Sequence, residues 1–325
     1  ALQDHRIAAP GRRVFLRRCV VQVDDAALGE HDVVVQLVRK VFPQLHRMLE
    51  EGGVAADHIV GANERGVAAD IARKANAEVV LLHIVDYPIA AHHLEDFLQT
   101  DTGKELTKKI NQQFLEVLQL KSMQGVNISD HVHYNSTIKG IHHFADKEKV
   151  DLIVMGSHGH NKINDYVFGS NTEKLLRLTD YPLIIVKEAT VDYSLNTLVF
   201  CSDFSDTSVK SYEKIKALID VFHPEIHLLK VITRGNFDTS KNTNILINTF
   251  AKNAHISGFH SDIITAESIE EGISDFCNEV KPELMVMETH GRTGVSHMLL
   301  GSIAENVINS SKQPVLSLRV GYPEI

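Results

Sequence analysis

The chain has 325 residues, 43% of them hydrophobic and 23% charged, and a formal net charge of −9 at pH 7. This length suits two domains that each bury a core, while the acidic balance excludes a general nucleic-acid binder, which needs a basic face. No apolar run reaches the roughly 20 residues that cross a bilayer, and the first residues lack the apolar stretch of a signal peptide.

Residues 1–64 differ in composition from the rest of the chain. The first 60 contain no Ser, Thr, Asn or Tyr, and Arg outnumbers Lys there, whereas Lys outnumbers Arg afterwards. This break indicates either an unrelated leader or a coding artefact. The stretches VFLRRCVVQV and HDVVVQLVRKVF could form strands or helices locally, but we assign residues 1–64 to an atypical N-terminal segment rather than to a domain.

Residues 65–189 form the first predicted domain. Apolar residues spaced three and four apart predict helices, and short continuous apolar runs predict strands buried on both faces of a parallel sheet. The predicted helices lie near 67–77, 93–121, 136–149 and 171–179, and the predicted strands near 78–86, 131–135, 151–156 and 182–188.

Residues 194–321 form the second predicted domain and repeat that order. The predicted strands lie near 197–203, 227–233, 260–267, 283–289 and 314–320, and the predicted helices near 206–222, 242–255, 268–280 and 302–311. Strands that alternate with helices of about ten to fifteen residues imply right-handed crossovers and a parallel sheet. We therefore predict an α/β fold with two doubly wound, Rossmann-like parallel-sheet domains in tandem.

The two halves share one loop pattern. Residues 151–187 align with residues 283–319, 132 positions later, and the first copy reads G-x2-G-x9-G-S from Gly156 to Ser170. Glycines let a backbone approach a ligand closely, and successive N–H groups and a helix N-terminus attract anions. The loop therefore predicts a phosphate site, although a simple turn of the chain explains a single loop equally well. It matches neither the P-loop nor the GxGxxG pattern.

The stretches MGSHG…GSNTEKLLR, THGRTGVSHMLLGSIAENV and VFCSDFSDTS resemble the universal stress protein family, and the likeness covers roughly residues 66–320. The spacing G-x2-G-x9-G-[ST] is the ATP-binding signature of that family. The resemblance implies bound ATP, ADP or AMP, with or without Mg²⁺, held mainly by backbone groups. It also implies that domains pair through their final strands, either within this chain as a pseudo-dimer or between two chains as a homodimer.

Carried over by position, the resemblance implies a set of nucleotide-binding residues in each half. Phosphates would contact the loop glycines and the helix start, adenine would lie against apolar strand residues, and an Asp after the first strand would face the nucleoside. These residues are Ile84, Met155, Gly156, Gly159, Gly169, Ser170 and Asn171 in the first half, and Asp203, Val231, Gly291, Gly301 and Ser302 in the second.

Each half departs from this pattern at one place. The second half has Glu288 where the first loop glycine belongs, and a carboxylate beside a triphosphate is repulsive. The first strand of the first half falls in the atypical segment, where Asp57 lies at about the right distance before Ile84 but follows a poor strand. We therefore predict a weakened second site, and a first site that lacks one edge if the segment does not fold.

Other polar residues have simpler interpretations. His158 and His290 lie in the loops and are interpreted as facing phosphate or solvent, and Ser205 as a helix N-cap. Histidine is the commonest metal ligand, but His92, His93, His142, His143 and His160 have no recognised ligand spacing. We therefore predict no metal site.

The predicted function is that of a nucleotide-binding regulatory protein of the universal stress response without efficient catalysis. The loops offer no general base, acidic metal pair or positioned lysine for phosphoryl transfer, although slow ATP hydrolysis stays open. A scaffold without nucleotide is the alternative that Glu288 favours, and an ATP-using ligase or hydrolase would need a substrate domain. Three scattered cysteines without a CxxC pair predict a cytoplasmic location.

Overall fold

The computed structural model of the protein describes residues 18–22, 34–35, 62–85, 94–134, 137–156, 170–187, 193–290 and 298–320. In chain order, the first half contains β1 (Arg18–Gln22), β2 (Val34–Val35), α1 (Ala62–Ala75), β3 (Glu78–Val85), α2 (Leu94–Gln99), α3 (Asp101–Leu118), a 3₁₀ turn (Lys121–Met123), β4 (Asn127–Tyr134), α4 (Thr137–Glu148), β5 (Leu152–Gly156), α5 (Ser170–Leu178) and β6 (Leu183–Val186).

The second half follows the same alternation of strands and helices. Its elements are β7 (Thr197–Cys201), α6 (Asp206–Phe222), β8 (Glu225–Ile232), α7 (Ser240–Asn253), β9 (Phe259–Thr265), α8 (Ile269–Val280), β10 (Leu284–His290), α9 (Met298–Ser310) and β11 (Val315–Val320). Among the described residues, no helix is both long enough and apolar enough to cross a membrane.

All described strands belong to one sheet with the order β4-β3-β1-β5-β6-β11-β10-β7-β8-β9, and β2 pairs with β1. Neighbouring strands within each half run parallel, apart from the antiparallel β1–β2 pair. The halves meet where β6 and β11 pair antiparallel, with Ile184 opposite Leu316. The predicted class of two Rossmann-like parallel-sheet domains in tandem is confirmed.

The burial of the strands follows their place in the sheet. In β3, seven consecutive residues after Glu78 are buried, as expected for a strand between two neighbours with helices packed on its faces. The outer strands β4 and β9 are mostly half-buried or exposed. The continuous apolar runs therefore mark the centre of each half.

Strand β1 lies inside the sheet, between β3 and β5. The composition places residues 1–64 outside both predicted domains, yet Cys19 in this segment is fully buried in the core. Strand β1 takes the place that β7 holds in the second half, between β8 and β10. The first half therefore has the central strand that its sequence did not make evident.

The helix predicted over 93–121 is two helices. The chain breaks at Thr100, whose side chain accepts a hydrogen bond from the Gly103 N–H and caps α3. A Cβ on Gly103 would lie 2.1 Å from the carbonyl oxygen of Phe97, so only glycine permits this tight passage from α2 to α3. The long helical pattern hid the break because both helices are amphipathic.

Candidate nucleotide-binding site

The second half has a cleft at the carboxyl ends of β7, β8 and β10. Ligands of open α/β sheets bind at this end of the strands. The predicted residues Asp203 and Val231 both line the cleft, together with Glu288. The full lining consists of Cys201, Ser202, Asp203, Leu229, Lys230, Val231, Asn236, Ile269, Ile273, Met287, Glu288 and Ile303.

Asp203 lies in a tight turn between β7 and α6. Phe204 adopts a left-handed φ of 60° and is buried, and Asp203 Oδ1 accepts a hydrogen bond from the Ser205 N–H at 2.9 Å. Ser205 precedes α6 as predicted, but its hydroxyl lies 3.0 Å from that of Thr207 and makes no capping bond to the helix backbone. The turn therefore holds the Asp203 carboxylate at the rim of the cleft.

Lys230 brings a positive charge to the cleft. Its Nζ donates to the Asp203 carbonyl oxygen at 2.9 Å. Burial lowers the pKa of Lys230, while the carboxylates of Asp203, Asp238 and Glu288 act in the opposite direction. The sequence does not mark Lys230 as a site residue, and its only signal is a lysine inside the apolar run HLLKVI.

Glu288 stands at the position that Gly156 holds in the first half. Its side chain is buried, and Oε2 accepts hydrogen bonds from the Ser202 hydroxyl and, at 2.7 Å, from the Ser208 hydroxyl. Burial raises the pKa of Glu288; the neighbouring serine hydroxyls lower it, and the charge of Asp203 raises it further. The carboxyl lies at the strand end where the first half has a glycine without a side chain, and its negative charge disfavours an anion there.

In the second half, the carbonyl oxygen of Val231 already accepts a hydrogen bond from a side chain. Asn236 Nδ2 donates to the Val231 carbonyl oxygen at 3.1 Å, and Asn236 Oδ1 accepts from the Thr233 N–H at 2.5 Å. This carbonyl lies at the position where the resemblance implies adenine. A ligand that used it would compete with the Asn236 amide.

In the first half, β5 ends at Gly156 and α5 begins at Ser170. Thr172 Oγ1 donates to the Gly156 carbonyl oxygen at 3.2 Å, which fixes the start of α5 against the end of β5. Asn171 is only 4% exposed, and its Nδ2 has no hydrogen-bond partner among the described residues. A buried donor without a partner costs about 1–3 kcal/mol, so this amide fits a site that receives an acceptor such as a phosphate oxygen.

The corresponding positions of the second half lack these polar groups. Counting 132 positions from Asn171 and Thr172 gives Ile303 and Ala304, and both are buried. An apolar side chain therefore borders the second cleft where an amide lies in the first half. The two sites differ at the strand end and at the helix start together.

Ile84 and Met155 are fully buried. A Cβ on Gly140 in α4 would lie 2.6 Å from Ile84 Cδ1, and a Cβ on Gly272 in α8 would lie 2.6 Å from Val231 Cγ1. The predicted adenine-side residues Ile84 and Val231 thus occupy matched places, each pressed against a helix glycine. Their strands and helices are set by the same packing in both halves.

The remaining predicted residues are placed only in part. Gly301 and Ser302 lie in the first turns of α9, which begins at Met298, before the predicted start. His290 ends β10. Gly159, Gly169, Gly291, His92, His93, His158 and His160 lie outside the described residues.

The strand register points to a second candidate, besides Asp57, for the first-strand Asp of the first half. Pairing with the neighbouring strands gives Arg18 the place of Thr197. Asp203 follows Thr197 by six residues, and the residue six after Arg18 is Asp24 rather than Asp57. Both Asp24 and Asp57 lie outside the described residues.

Comparison with known proteins agrees with the duplicated architecture. The model of the universal stress protein family matches residues 54–187 and again residues 195–319. A universal stress protein of Methanocaldococcus jannaschii is 30% identical over 123 residues, which cover 37% of this chain and 71% of that protein. A universal stress protein E homolog of Haemophilus influenzae is 23% identical over 217 residues, 60% of this chain and 70% of that protein.

Solved structures share the fold over most of the chain. A universal stress protein from Archaeoglobus fulgidus aligns with a TM-score of 0.56 and 18% identity, covering 79% of this chain and 92% of that one. A Pseudomonas aeruginosa protein of unknown function aligns with a TM-score of 0.55 and 16% identity, covering 95% and 94%. Since the family model accounts for most of the chain in two successive copies, the chain belongs to the universal stress protein family.

Proposed function

We propose that the protein is a regulatory protein of the universal stress response that binds ATP or another adenine nucleotide in its first half. The observation that carries the proposal is the asymmetry of the strand ends. Gly156 lies against a helix start whose buried Asn171 amide has no partner among the described residues, whereas Glu288 lines a cleft with the apolar Ile303. Family membership supports the ligand class, and the residues support one working site of two.

The proposed site holds its ligand through neutral groups. Gly156 puts no side chain at the end of β5, and the N-terminus of α5 would offer backbone N–H groups and a favourable dipole to a phosphate. The Asn171 amide would supply a further donor. The groups proposed to hold the ligand are neutral donors, and none of them is a general base, an acidic metal ligand or a lysine of the kind that phosphoryl transfer uses. We therefore infer a nucleotide-responsive switch without efficient catalysis.

The decisive experiment exchanges the residues at the two strand ends. The purified chain is denatured to identify bound nucleotide by mass spectrometry, and nucleotide-free protein is titrated with ATP by calorimetry. We expect one adenine nucleotide per chain, and a loss of affinity in G156E. A new carboxylate about 4 Å from a phosphate costs roughly 1–4 kcal/mol, which is roughly 5- to 1000-fold in Kd.

The matched control is the reverse exchange, E288G, which leaves the first half unchanged. We expect E288G to keep the first site and to gain weak binding at the second. Equal ATP affinities of the parent chain and of folded G156E would contradict the first-half site. No heat at millimolar ATP and no bound nucleotide would favour the alternative, a duplicated scaffold, which the Glu288 side chain supports.

Two further features belong to this proposal. We infer that the pairing of β6 with β11 takes, within one chain, the role of a dimer of domains, and that a homodimer of chains is not required. Size-exclusion chromatography with light scattering tests this inference.

We also infer a cytoplasmic location. Its support is that Cys19, Cys201 and Cys277 are buried free thiols, as expected in a reducing compartment.

A further inference from the structure

Four polar side chains meet on one face of the outer strands β8 and β9. His227 lies directly opposite His260 in the parallel pair. Side chains two apart on a strand share a face, so Glu225 lies on the same face as His227, and Asp262 on the same face as His260. One ligand atom from each of Glu225, His227 and His260 lies within 4.8 Å of the others.

The contacts within this cluster are short and ordered. His260 Nε2 lies 2.7 Å from Glu225 Oε1, and His227 Nδ1 lies 2.9 Å from Asp262 Oδ2. The two imidazole rings stack with centroids 4.6 Å apart, and Phe276 of α8 packs edge-on against the His227 ring. His227 is largely buried, whereas Glu225 and His260 are more than half exposed. The cluster is therefore anchored on its inner side and open to solvent on its outer side.

The cluster is separate from the nucleotide site. His227 and Val231 are four residues apart on β8, which is about 13 Å along a strand. Glu225 begins β8, so the cluster lies toward the amino ends of the strands, while the cleft lies at their carboxyl ends. Neither the loops nor the cleft contributes a residue to it.

The first half shows what these strand positions hold without histidines. By the same register, Glu78 corresponds to Glu225, Val80 to His227 and Ser129 to His260. There the Ser129 hydroxyl donates a hydrogen bond to Glu78. The fold therefore does not require two imidazoles at this place, and the second half carries them in addition to the shared carboxylate.

We propose that Glu225, His227 and His260 bind a divalent transition-metal ion of the Zn²⁺ class. Two imidazole nitrogens and a carboxylate oxygen are a donor set that suits Zn²⁺. Asp262 holds Nδ1 of His227, which leaves Nε2 as the coordinating atom, the usual arrangement of a carboxylate behind a metal-bound histidine. Three protein ligands leave a fourth position for water at the exposed side. The bound ion would join β8 to the outer strand β9.

The test uses the full chain, stripped with a chelator and free of nucleotide. Zn²⁺ binding is measured by calorimetry, and Co²⁺ is used as a spectroscopic probe because its visible absorption reports tetrahedral coordination. We expect one ion per chain, a Zn²⁺ affinity at least 100-fold weaker in H260A, and a 10- to 100-fold loss in D262N, as for other residues behind a metal ligand. Thermal unfolding of each variant checks that it is folded.

The matched control is H255N, because His255 is an exposed histidine on the same half with a φ of 56° that Asn tolerates. We expect H255N to bind as the parent chain does. If H260A is poorly folded, E225Q replaces it, since Glu225 is exposed and glutamine keeps its shape. Saturable binding that H260A or E225Q leaves unchanged, or no saturable binding below millimolar Zn²⁺, would overturn the site.

Discussion

At residue 288, the second half carries a buried carboxyl side chain where the first half has Gly156, which has no side chain. The serine hydroxyls around Glu288 give Oε2 two partners, while Oε1 is buried without a partner among the described residues. Burial raises the pKa of Glu288, which means that the folded protein disfavours the charged carboxylate. The Glu288 carboxyl therefore lowers the free energy of unfolding at pH values above its ordinary titration range.

We predict that E288Q stabilises the protein at neutral pH by about 1–3 kcal/mol, the usual cost of a poorly satisfied buried polar group. Because the folded pKa is raised, the contribution of the Glu288 carboxyl to stability is complete below its unfolded pKa and is lost as pH rises through the folded pKa. The advantage of E288Q should thus shrink toward pH 4. Urea unfolding at several pH values measures it.

The exposed residue Glu267 provides the control, because its side chain is 76% exposed. E267Q should change the free energy of unfolding by less than about 0.5 kcal/mol at any of these pH values. An E288Q protein that is no more stable than the parent chain at pH 7.5 would show that the serine hydroxyls fully satisfy the charged carboxylate.

At the scale of elements, α4 and α8 approach the sheet through glycine. Gly140 faces Ile84, and Gly272 faces Val231, with an added Cβ only 2.6 Å from either side chain. The two contacts differ in how easily the side chain that faces the glycine can rotate away. The Ile84 contact is through a terminal methyl, while the Val231 contact is through a β-branched Cγ1 that has restricted χ1 freedom.

We predict that G272A destabilises the protein by about 1–3 kcal/mol, as overpacking in a core does, even though Ala favours helix by about 1 kcal/mol over Gly. G140A should cost less, because Ile84 can rotate its Cδ1 away. Urea unfolding of both variants provides the comparison. A G272A protein that is more stable than the parent chain would mean that α8 shifts freely away from β8.

At the scale of the whole molecule, the sheet passes from one half to the other through the pairing of β6 with β11. Ile184 and Leu316 face each other across β6 and β11, and both are fully buried. Around this joint, Arg177 Nε lies 2.8 Å from Glu305 Oε1, with the arginine 55% exposed. Apolar burial and the shared sheet, rather than ion pairs, therefore carry the contact between the halves.

We predict that I184A lowers the free energy of unfolding by about 2–5 kcal/mol, since it leaves a cavity beneath the joint. E305Q should lower it by less than about 1 kcal/mol, because solvent screens an exposed ion pair. Urea unfolding measures both changes. Equal losses in the two variants would show that the polar contacts around the joint, not the strand pair, bind the halves together.

The regular elements of both halves were predictable because each rests on local patterns. Strand β3 and helix α8 are visible as an apolar run and as apolar residues with helical spacing. The break at Thr100 was missed, because it depends on a close passage at Gly103 that no periodicity reveals. Lys230 and the pair of His227 with His260 were not predicted. Each of these side chains acts together with a residue about 30 positions away in the sequence, and only the pairing of the strands brings the two together.

The sequence by itself determined the duplicated architecture, the order of its strands and helices, and the contrast between Gly156 and Glu288. These properties depend on spacing and residue type, which a single chain displays directly. Only the tertiary structure decided that β1 completes the first half, that β6 and β11 join the halves, that hydroxyls surround Glu288, and that His227 faces His260. Each of these depends on strand register between distant segments, and register is set by the packing of the whole sheet rather than by any local pattern.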